Sequence, residues 1–442
     1  MNLFLEKIKK NINNLIKGKS PIIIGVSGGI DSMVLLDVLY RLGYSIVVAH
    51  VNFKLRGKDS DSDEIFVSKM AKKMRLPIEK IHFNTQEYSK KNHISIEMSA
   101  RKLRYDWFEE LSKKYDTENI AVAHHADDNI ETLILNLIRG TGIKGISGMK
   151  ERNGKVIRPF LSIFRSEIEQ YTQKNNIQYV SDATNFEDIY KRNKIRNQII
   201  PLLEELNPSV RQTLYKNILN FDKSSEFYFH HIEKIKSTIV AIKNEVIYID
   251  INKLLKLEHS HIVLYEVLSD YLFHSDTIED IFTKLNKQSG IEFLSPTHRL
   301  IKDRNYLLIE KRIKKEKKRF QIDENSFDIK EPLTLKIKKI RKTTDFQYST
   351  NPKIIHIDKL KVIFPLTIRR WQNGDTFQPL GMTNFKKVSD FFIDEKINKI
   401  EKENSWVLLN SNNQIIWIIG KRLDNRFKIT NKTSEIIELK TN

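Results

Sequence analysis

The sequence predicts an α/β protein whose first domain is a doubly wound parallel β-sheet. Between Pro21 and about Tyr179, short apolar runs alternate with segments of helical periodicity, as in successive strand–helix units. Beyond this region helical spacing takes over, and from Phe320 onward short strand-like runs dominate. We therefore expect a parallel-sheet domain, a mainly helical domain and a small mixed α/β domain of mainly β character. The expected bounds are 1–205, 206–315 and 316–442.

Four apolar runs supply the predicted strands of the first domain. Each is followed by an amphipathic or charged segment with helix-start chemistry, such as Asp59-Ser60-Asp61. Because ligands of such sheets bind beyond the carboxyl ends of the strands, we expect chemistry where these runs end. The predicted strands are Ile22 to Val26, Ile46 to Val51, Ile78 to Phe83 and Ile120 to His124.

The rest of the chain gives fewer signals. Residues 209–290 show helical spacing with few Gly or Pro. A hairpin is predicted over Leu300 to Glu310, turning at Asp303-Arg304-Asn305, and the charge run Lys311 to Arg319 is interpreted as a linker. The last domain is predicted to hold a helix and strands at Leu333 to Ile340, Lys361 to Arg370, Trp406 to Leu409 and Ile415 to Ile419.

The composition limits the classes of function. Lys plus Arg number 75 against 56 for Asp plus Glu; the net charge of +19 favours a polyanionic partner such as nucleic acid, with solvated surface lysines as the alternative. The chain has no cysteine, which excludes disulfides, thiolate metal sites, iron–sulfur clusters and persulfide chemistry for this chain alone. No run approaches the roughly 18 apolar residues of a membrane helix, and the amino terminus lacks a signal-peptide pattern. We therefore expect a cytoplasmic protein with no membrane partner.

A phosphate-binding loop is predicted between the first strand and its helix, at Ser27-Gly28-Gly29-Ile30-Asp31-Ser32. Adjacent glycines let backbone N–H groups turn toward an anion at the positive end of the helix dipole. Ser27 and Ser32 can add hydroxyl donors, and Asp31 can hold Mg²⁺ between phosphates. Because the loop lacks the Gly-Lys-Ser/Thr ending of a Walker A sequence, we expect chemistry other than γ-phosphate transfer. The loop resembles that of the PP-loop (adenine nucleotide alpha hydrolase-like) family of ATP pyrophosphatases, which cleave ATP to AMP and pyrophosphate.

Further polar groups follow the other strands. His50 lies in the second predicted strand, Arg104 on a helical stretch, and the pair His124-His125 at the end of the fourth strand. Asp128 and Glu131 are three residues apart, so both carboxylates share one helix face, where they can bind an ammonium group or Mg²⁺. In isolation these acids would be ordinary charges at a helix N-terminus, but their coincidence with the loop favours a site.

Taken together, the motifs resemble the tRNA(Ile)-lysidine synthetase family, whose members attach lysine to the wobble cytidine of an isoleucine tRNA. The resemblance spans nearly the whole chain, with the helical middle matching in placement more than in residues. Beyond the loop and the segment from His124 to Thr132, its motifs are Arg139 to Gly142, Gly145 to Met149, Arg158 to Phe160, Arg165 to Ile168, Asp182 to Asn185, Tyr190 to Arg196, Trp371 to Met382, Lys386 to Phe392 and Gly420 to Phe427.

This resemblance implies the substrates and the roles of the residues. ATP would bind the loop and His50, with Mg²⁺ on Asp31, and would adenylate the wobble cytidine before free L-lysine attacks it. The partners implied are L-lysine and tRNA(Ile) with a CAU anticodon; a homodimer is also implied, although no heptad pattern supports it independently. The implied catalytic residues are Asp31, Arg104, Asp128, Glu131, Arg192 and Arg196, and the implied substrate contacts are His124, His125, Asp128, Glu131, Lys386 and Lys387.

Three other functions are compatible with parts of the sequence. A tRNA thiolase of the same loop family ordinarily needs cysteines, which this chain lacks. An amidotransferase similar to NAD synthetase shares the loop, but it explains neither two further domains nor the excess of positive charge. A tRNA-binding protein without turnover is disfavoured because the loop and the acidic motif are both intact.

Overall fold

The computed structural model describes residues 3–55, 57–180, 191–312, 318–343 and 346–441. The chain forms two compact units, Met1–His230 and His231–Asn442. The motif from Asp182 to Asn185, Tyr190 and most of the predicted linker lie outside the described residues. Within the described ranges, no helix is both long and apolar enough to cross a membrane.

The first unit contains a six-stranded sheet in the order β3-β2-β1-β4-β6-β5, parallel except for its edge strand β5. This order confirms the predicted doubly wound sheet. The strands are β1 (Ile22–Gly25), β2 (Ile46–Asn52), β3 (Ile78–His82), β4 (Ile120–Ala121), β5 (Arg152–Asn153) and β6 (Val156–Ile157).

The fourth strand is shorter than predicted. It ends at Ala121 instead of His124, because the chain turns away toward a helix that begins at Ala126. The two histidines therefore lie in the connection between strand and helix. The helices of the unit are α1 (Leu3–Leu15), α2 (Ile30–Arg41), α3 (Lys58–Lys73), α4 (Thr85–Asn92), α5 (Ile96–Lys114), α6 (Ala126–Arg139), α7 (Ile143–Ile146), α8 (Arg165–Asn175), α9 (Lys191–Lys194) and α10 (Ile200–Leu206), with a π-helical segment at Ile195–Ile199.

Helices cover both faces of this sheet, so its central strand is apolar at every position. Ile22 and Ile24 point into one core with α1, α2 and α8, whereas Ile23 points into a second core with α5. This alternation follows from the two-residue period of a strand. The sheet is thereby fixed on both sides, and only the ends of its strands are open to ligands.

A 30-residue helix, α11 (Val210–Ile239), contains the boundary between the units. The region after this helix contains helices, as predicted, but also more strands than the sequence predicts. The expected hairpin supplies β10 and β11 of a five-stranded antiparallel sheet with the order β7-β8-β11-β10-β9. Asn244 and Glu245 form the two-residue turn between β7 and β8, both with positive φ. Such turns usually carry Asn-Gly, so the sequence Asn-Glu does not indicate a hairpin here. The elements are β7 (Val240–Lys243), β8 (Val246–Asp250), α12 (Ile251–Leu255), α13 (Ser260–Ser269), α14 (Ser275–Thr283), β9 (Glu292–Leu294), β10 (His298–Asp303) and β11 (Tyr306–Lys311).

The carboxy-terminal part of the second unit is mainly β, as predicted, with two short helices. A five-stranded sheet, β12-β16-β19-β20-β21, and a four-stranded sheet, β13-β14-β22-β15, share an apolar core that includes Ile337, Ile368 and Trp417. The elements are β12 (Arg319–Ile322), β13 (Asp328–Ile329), β14 (Leu335–Arg341), β15 (Ile354–Asp358), β16 (Leu366–Arg370), β17 (Thr376–Phe377), β18 (Lys386–Lys387), α15 (Val388–Asp394), α16 (Lys399–Asn404), β19 (Trp406–Leu409), β20 (Ile415–Ile418), β21 (Arg422–Leu423) and β22 (Glu435–Thr441).

Candidate active site

The loop at residues 27–32 joins β1 to α2, the strand–loop–helix geometry that the sequence predicts. Gly28 has a φ of 96°, a conformation that L side chains rarely adopt, so glycine is required there. The Ser32 hydroxyl accepts a hydrogen bond from the Ser27 N–H at 3.2 Å and donates one to the Gly29 carbonyl at 2.9 Å. These bonds hold the loop at the positive end of the α2 dipole, where an anion is stabilised.

A cavity of about 950 Å³ opens beside this loop. It lies where the strands β1, β2 and β4 end, the expected position of a site in a doubly wound sheet. Five predicted site residues do not line it: Gly28, His50, Arg192, Lys386 and Lys387. Those that do are Ser27, Gly29, Ile30, Asp31, Ser32, Arg104, His124, His125, Asp128, Glu131 and Arg196.

The acidic pair of α6 lies at one side of the cavity. Arg196, in the π-helical segment, donates from Nε to Glu131 at 2.6 Å and from Nη2 to Asp128 at 3.3 Å. Arg192 donates to Thr132 at 2.7 Å and lies 3.2 Å from the Glu131 carboxylate. The structure therefore brings together two acids and two arginines that the sequence places more than 60 residues apart.

The two carboxyls of this pair have different pKa shifts. Burial raises the pKa of Glu131, although hydrogen bonds and charge from Arg196 act in the opposite direction. Burial also acts to raise the pKa of Asp128, but His125, His124 and the His125 backbone N–H lower it below the usual value. Asp128 is therefore ionised at neutral pH, and it is suited to holding a cationic ligand.

The three predicted histidines have different environments. His124 lines the cavity, and burial is the main reason that its pKa falls to about 4. His125 lies 3.5 Å from Asp128 and 3.8 Å from Asp31 through its Nε2. His50 is buried behind the loop, where its Nδ1 contacts the Val26 carbonyl at 2.8 Å. This contact, directly after β1, fits a supporting position for His50 behind the loop.

Asp31 at the start of α2 is held by an arginine that was not assigned a role in the sequence analysis. Arg165 Nη1 donates to both Asp31 oxygens, at 2.7 and 2.6 Å, while its Nε donates to Glu169 at 2.9 Å. Burial raises the pKa of Asp31, although His125 and Arg165 act to lower it. Mg²⁺ in nucleotide sites commonly takes one or two carboxylates together with substrate phosphates. The Asp31 carboxylate beside the loop has this chemistry, and in this structure both of its oxygens accept bonds from Arg165.

Arg104 lines the cavity, and no acid among the described residues forms an ion pair with it. Its guanidinium lies over the Phe53 ring, 5.2 Å from the centroid, and the described residues offer it no ion pair. Burial lowers its pKa, but an arginine stays protonated at neutral pH. A half-buried cation with no acid partner among the described residues favours an anionic ligand, such as a phosphate.

Further site residues were not assigned roles from the sequence. Arg211 lines the cavity and donates to Asp127 at 2.5 Å and to Glu204 at 2.6 Å. No local pattern marks it, because its partner Asp127 is 84 residues away. In the other unit, Lys386 and Lys387 form β18, which pairs with β17, and Lys386 is bonded to Asp394.

Comparison with known proteins agrees with this architecture. Three family models match: a PP-loop domain at residues 3–203, a TilS substrate binding domain at 242–313 and a TilS substrate C-terminal domain at 366–439. The tRNA(Ile)-lysidine synthase of Parabacteroides distasonis is 42% identical, over 99% of this chain and 98% of that protein. That of Bacteroides thetaiotaomicron is 41% identical over 94% of both chains, and that of Porphyromonas gingivalis is 36% identical over 93% of this chain and 92% of its own.

Proposed function

We propose, from the premise that the chain belongs to the tRNA(Ile)-lysidine synthase family, that it joins free L-lysine to carbon 2 of the wobble cytidine in the CAU anticodon of tRNA(Ile). Members of this family are tRNA-modifying ligases with a PP-loop. The observation that carries the proposal is a single cavity in which the phosphate-binding loop faces the acidic pair Asp128 and Glu131. A nucleotide and a cationic amino acid can thus be held side by side.

The first step would activate the cytosine with ATP. With the triphosphate on residues 27–32, oxygen 2 of the flipped cytosine attacks the α-phosphorus, the bond to the β-phosphate oxygen breaks, and pyrophosphate leaves. Arg104, which has no acid partner in the part of the chain that the structure describes, would stabilise the charge that develops at the α-phosphate. Asp31 would hold Mg²⁺, which neutralises phosphate charge when bound.

The second step would form the carbon–nitrogen bond. The side-chain amine of lysine, once deprotonated, attacks carbon 2, and the bond from carbon 2 to the adenylated oxygen breaks to release AMP. Asp128 and Glu131 would hold the lysine ammonium group and orient the attacking amine. The product, lysidine, pairs with A instead of G, so the tRNA would read AUA instead of AUG.

The tRNA would be bound through phosphate contacts along the basic chain, with strong salt dependence. In this proposal Lys386 and Lys387 contribute to binding of the tRNA, in a part of the chain without the catalytic cavity. A cytoplasmic location is part of this proposal, because the reaction needs tRNA and ATP.

The test is incorporation of radiolabelled lysine into a tRNA(Ile) transcript with a CAU anticodon, in the presence of ATP and Mg²⁺. A transcript with uridine at the wobble position is the matched control. We expect label only in the first transcript, with AMP and pyrophosphate as products. AMP release without lysine incorporation would keep the ATP chemistry and contradict the proposed second substrate.

A further inference from the structure

Behind the cavity, a buried arginine contacts the ring of His124. Arg158 follows β6, is only 5% exposed and does not line the cavity. Its Nε donates to His124 Nδ1 at 3.3 Å, and its Nη1 donates to the Lys150 carbonyl at 2.8 Å. His124 itself lines the cavity, and in the part of the chain that the structure describes its ring makes no other hydrogen bond. The arginine is therefore placed to act on substrates only through the histidine.

The chemistry of this contact fixes the location of a proton. A guanidinium has donors and no acceptor, and it keeps its charge in proteins. The Nδ1 atom that faces it must therefore offer a lone pair, which leaves the ring proton of a neutral imidazole on Nε2. We propose that Arg158 is a positioning residue that fixes His124 as a neutral imidazole whose Nε2–H donates a hydrogen bond to an oxygen of the nucleotide or the cytosine.

The surroundings of His124 also favour a neutral ring. Burial is the largest cause of its low pKa of about 4; the charge of Asp128 acts to raise the pKa, whereas the charges of Arg158, Arg192 and Arg101 lower it further. The ring is therefore neutral at physiological pH. Its single lone pair is engaged by Arg158, so it cannot accept a proton from lysine without breaking that contact. His124 would serve as a hydrogen-bond donor to the reacting oxygens, and deprotonation of the amine must be done by another group.

The role at the reacting oxygens depends on the proposed function, but the tautomer can be measured without substrate. The full chain, labelled with ¹⁵N at histidine rings, would be titrated by NMR, with His124→Gln used to assign the signals. We expect a neutral ring protonated on Nε2 near pH 7. A ring protonated on Nδ1, or a charged ring at that pH, overturns the proposal. This outcome is independent of whether lysine is the second substrate.

Variants then test the role of Arg158. Arg158→Met removes a charge that opposes protonation, so the pKa of His124 should rise, and AMP formation should fall about 100-fold, as when one preorganised donor is lost. Arg152→Met is the matched control, because Arg152 lies in the same β5–β6 hairpin and binds the carbonyls of Leu15 and Glu118. We expect that control to leave both the ring signals and the rate unchanged. If Arg158→Met lowers the rate while the His124 tautomer and pKa stay constant, Arg158 is merely structural.

Discussion

Each unit of the molecule contains a cluster of acids and arginines, and the two clusters differ in what surrounds them. The first, which we call the cavity cluster, consists of Asp128, Glu131, Arg192 and Arg196. The second, which we call the closed cluster, consists of two ion pairs, Arg369–Asp375 and Arg426–Asp424. The carboxylates of both clusters accept hydrogen bonds from their own chain, but those of the cavity cluster also line a cavity large enough for ligands, which those of the closed cluster do not.

Asp375 and Asp424 show what a saturated carboxylate looks like. Asp375 accepts two bonds from Arg369, at 2.8 and 2.7 Å, and one from the Gln372 N–H at 2.7 Å. Asp424, with no exposed surface, accepts bonds from the Gln378 N–H and from the backbone and side chain of Arg426. Both acids lie in motifs that carry the family resemblance, yet their geometry indicates that they hold loops in place. A motif alone therefore does not distinguish a chemical role from a structural one.

The largest effect is expected from a substitution that removes a charge from the cavity cluster. Asp128→Asn keeps the size of the side chain and the bond from the His125 N–H, but it removes the negative charge proposed to hold the lysine ammonium. We expect kcat/KM for lysine to fall about 1,000-fold, near 4 kcal/mol, while adenylation of the tRNA persists. The measurement is lysine incorporation beside AMP formation.

Asp106→Asn, an exposed acid on α5, is the control for this variant and should leave both rates unchanged. Unchanged apparent affinity for lysine in Asp128→Asn, with normal adenylation, would remove Asp128 from the lysine site. A loss of lysine incorporation would indicate that Asp128 binds lysine, whereas unchanged affinity would indicate that Asp128 only neutralises Arg196.

A substitution in the closed cluster should change the free energy of unfolding instead of the reaction. Asp424→Ala leaves the partly buried Arg426 guanidinium and the Gln378 N–H without their acceptor, so we expect a loss of about 3 kcal/mol in the free energy of unfolding. Denaturant unfolding of the full chain measures it. Asp390→Ala, an exposed acid in α15, is the control. Equal stabilities of the two variants would contradict the structural role of Asp424.

The contrast between the clusters also shows which parts of the fold and the site can be predicted from the sequence. The loop at residues 27–32 and the pair Asp128 and Glu131 were predictable because their spacing is local, within one turn or one helix. Arg165 could be quoted as part of a motif, but its contact with Asp31 spans 134 residues, and no periodicity encodes such a distance. The sheet containing β7 and β8 was missed for a local reason, since its turn uses Asn244-Glu245 where Asn-Gly would be recognisable.

A smaller effect is expected at the other acid of the closed cluster. Asp375→Asn keeps the size of the side chain and one oxygen acceptor, but it weakens the charge-assisted bonds from Arg369. We expect a loss of about 1 to 2 kcal/mol in the free energy of unfolding, with lysine incorporation per folded molecule unchanged. Denaturant unfolding and the incorporation assay on the same preparation measure both. A loss of lysine incorporation with an unchanged free energy of unfolding would show that Asp375 has a functional role.

The smallest effect concerns exposed charge in the second unit. Lys386→Ala with Lys387→Ala removes up to two phosphate contacts, so the slope of log Kd for tRNA against log salt should shrink by about 1 to 2, with affinity falling about tenfold. The effect is modest because Lys386 is also bonded to Asp394, which offsets part of its charge. The exposed pair Lys90-Lys91 in α4 is the matched control. If both double variants change the slope equally, general basicity binds the tRNA, and the second unit contributes surface charge without a defined contact at β18.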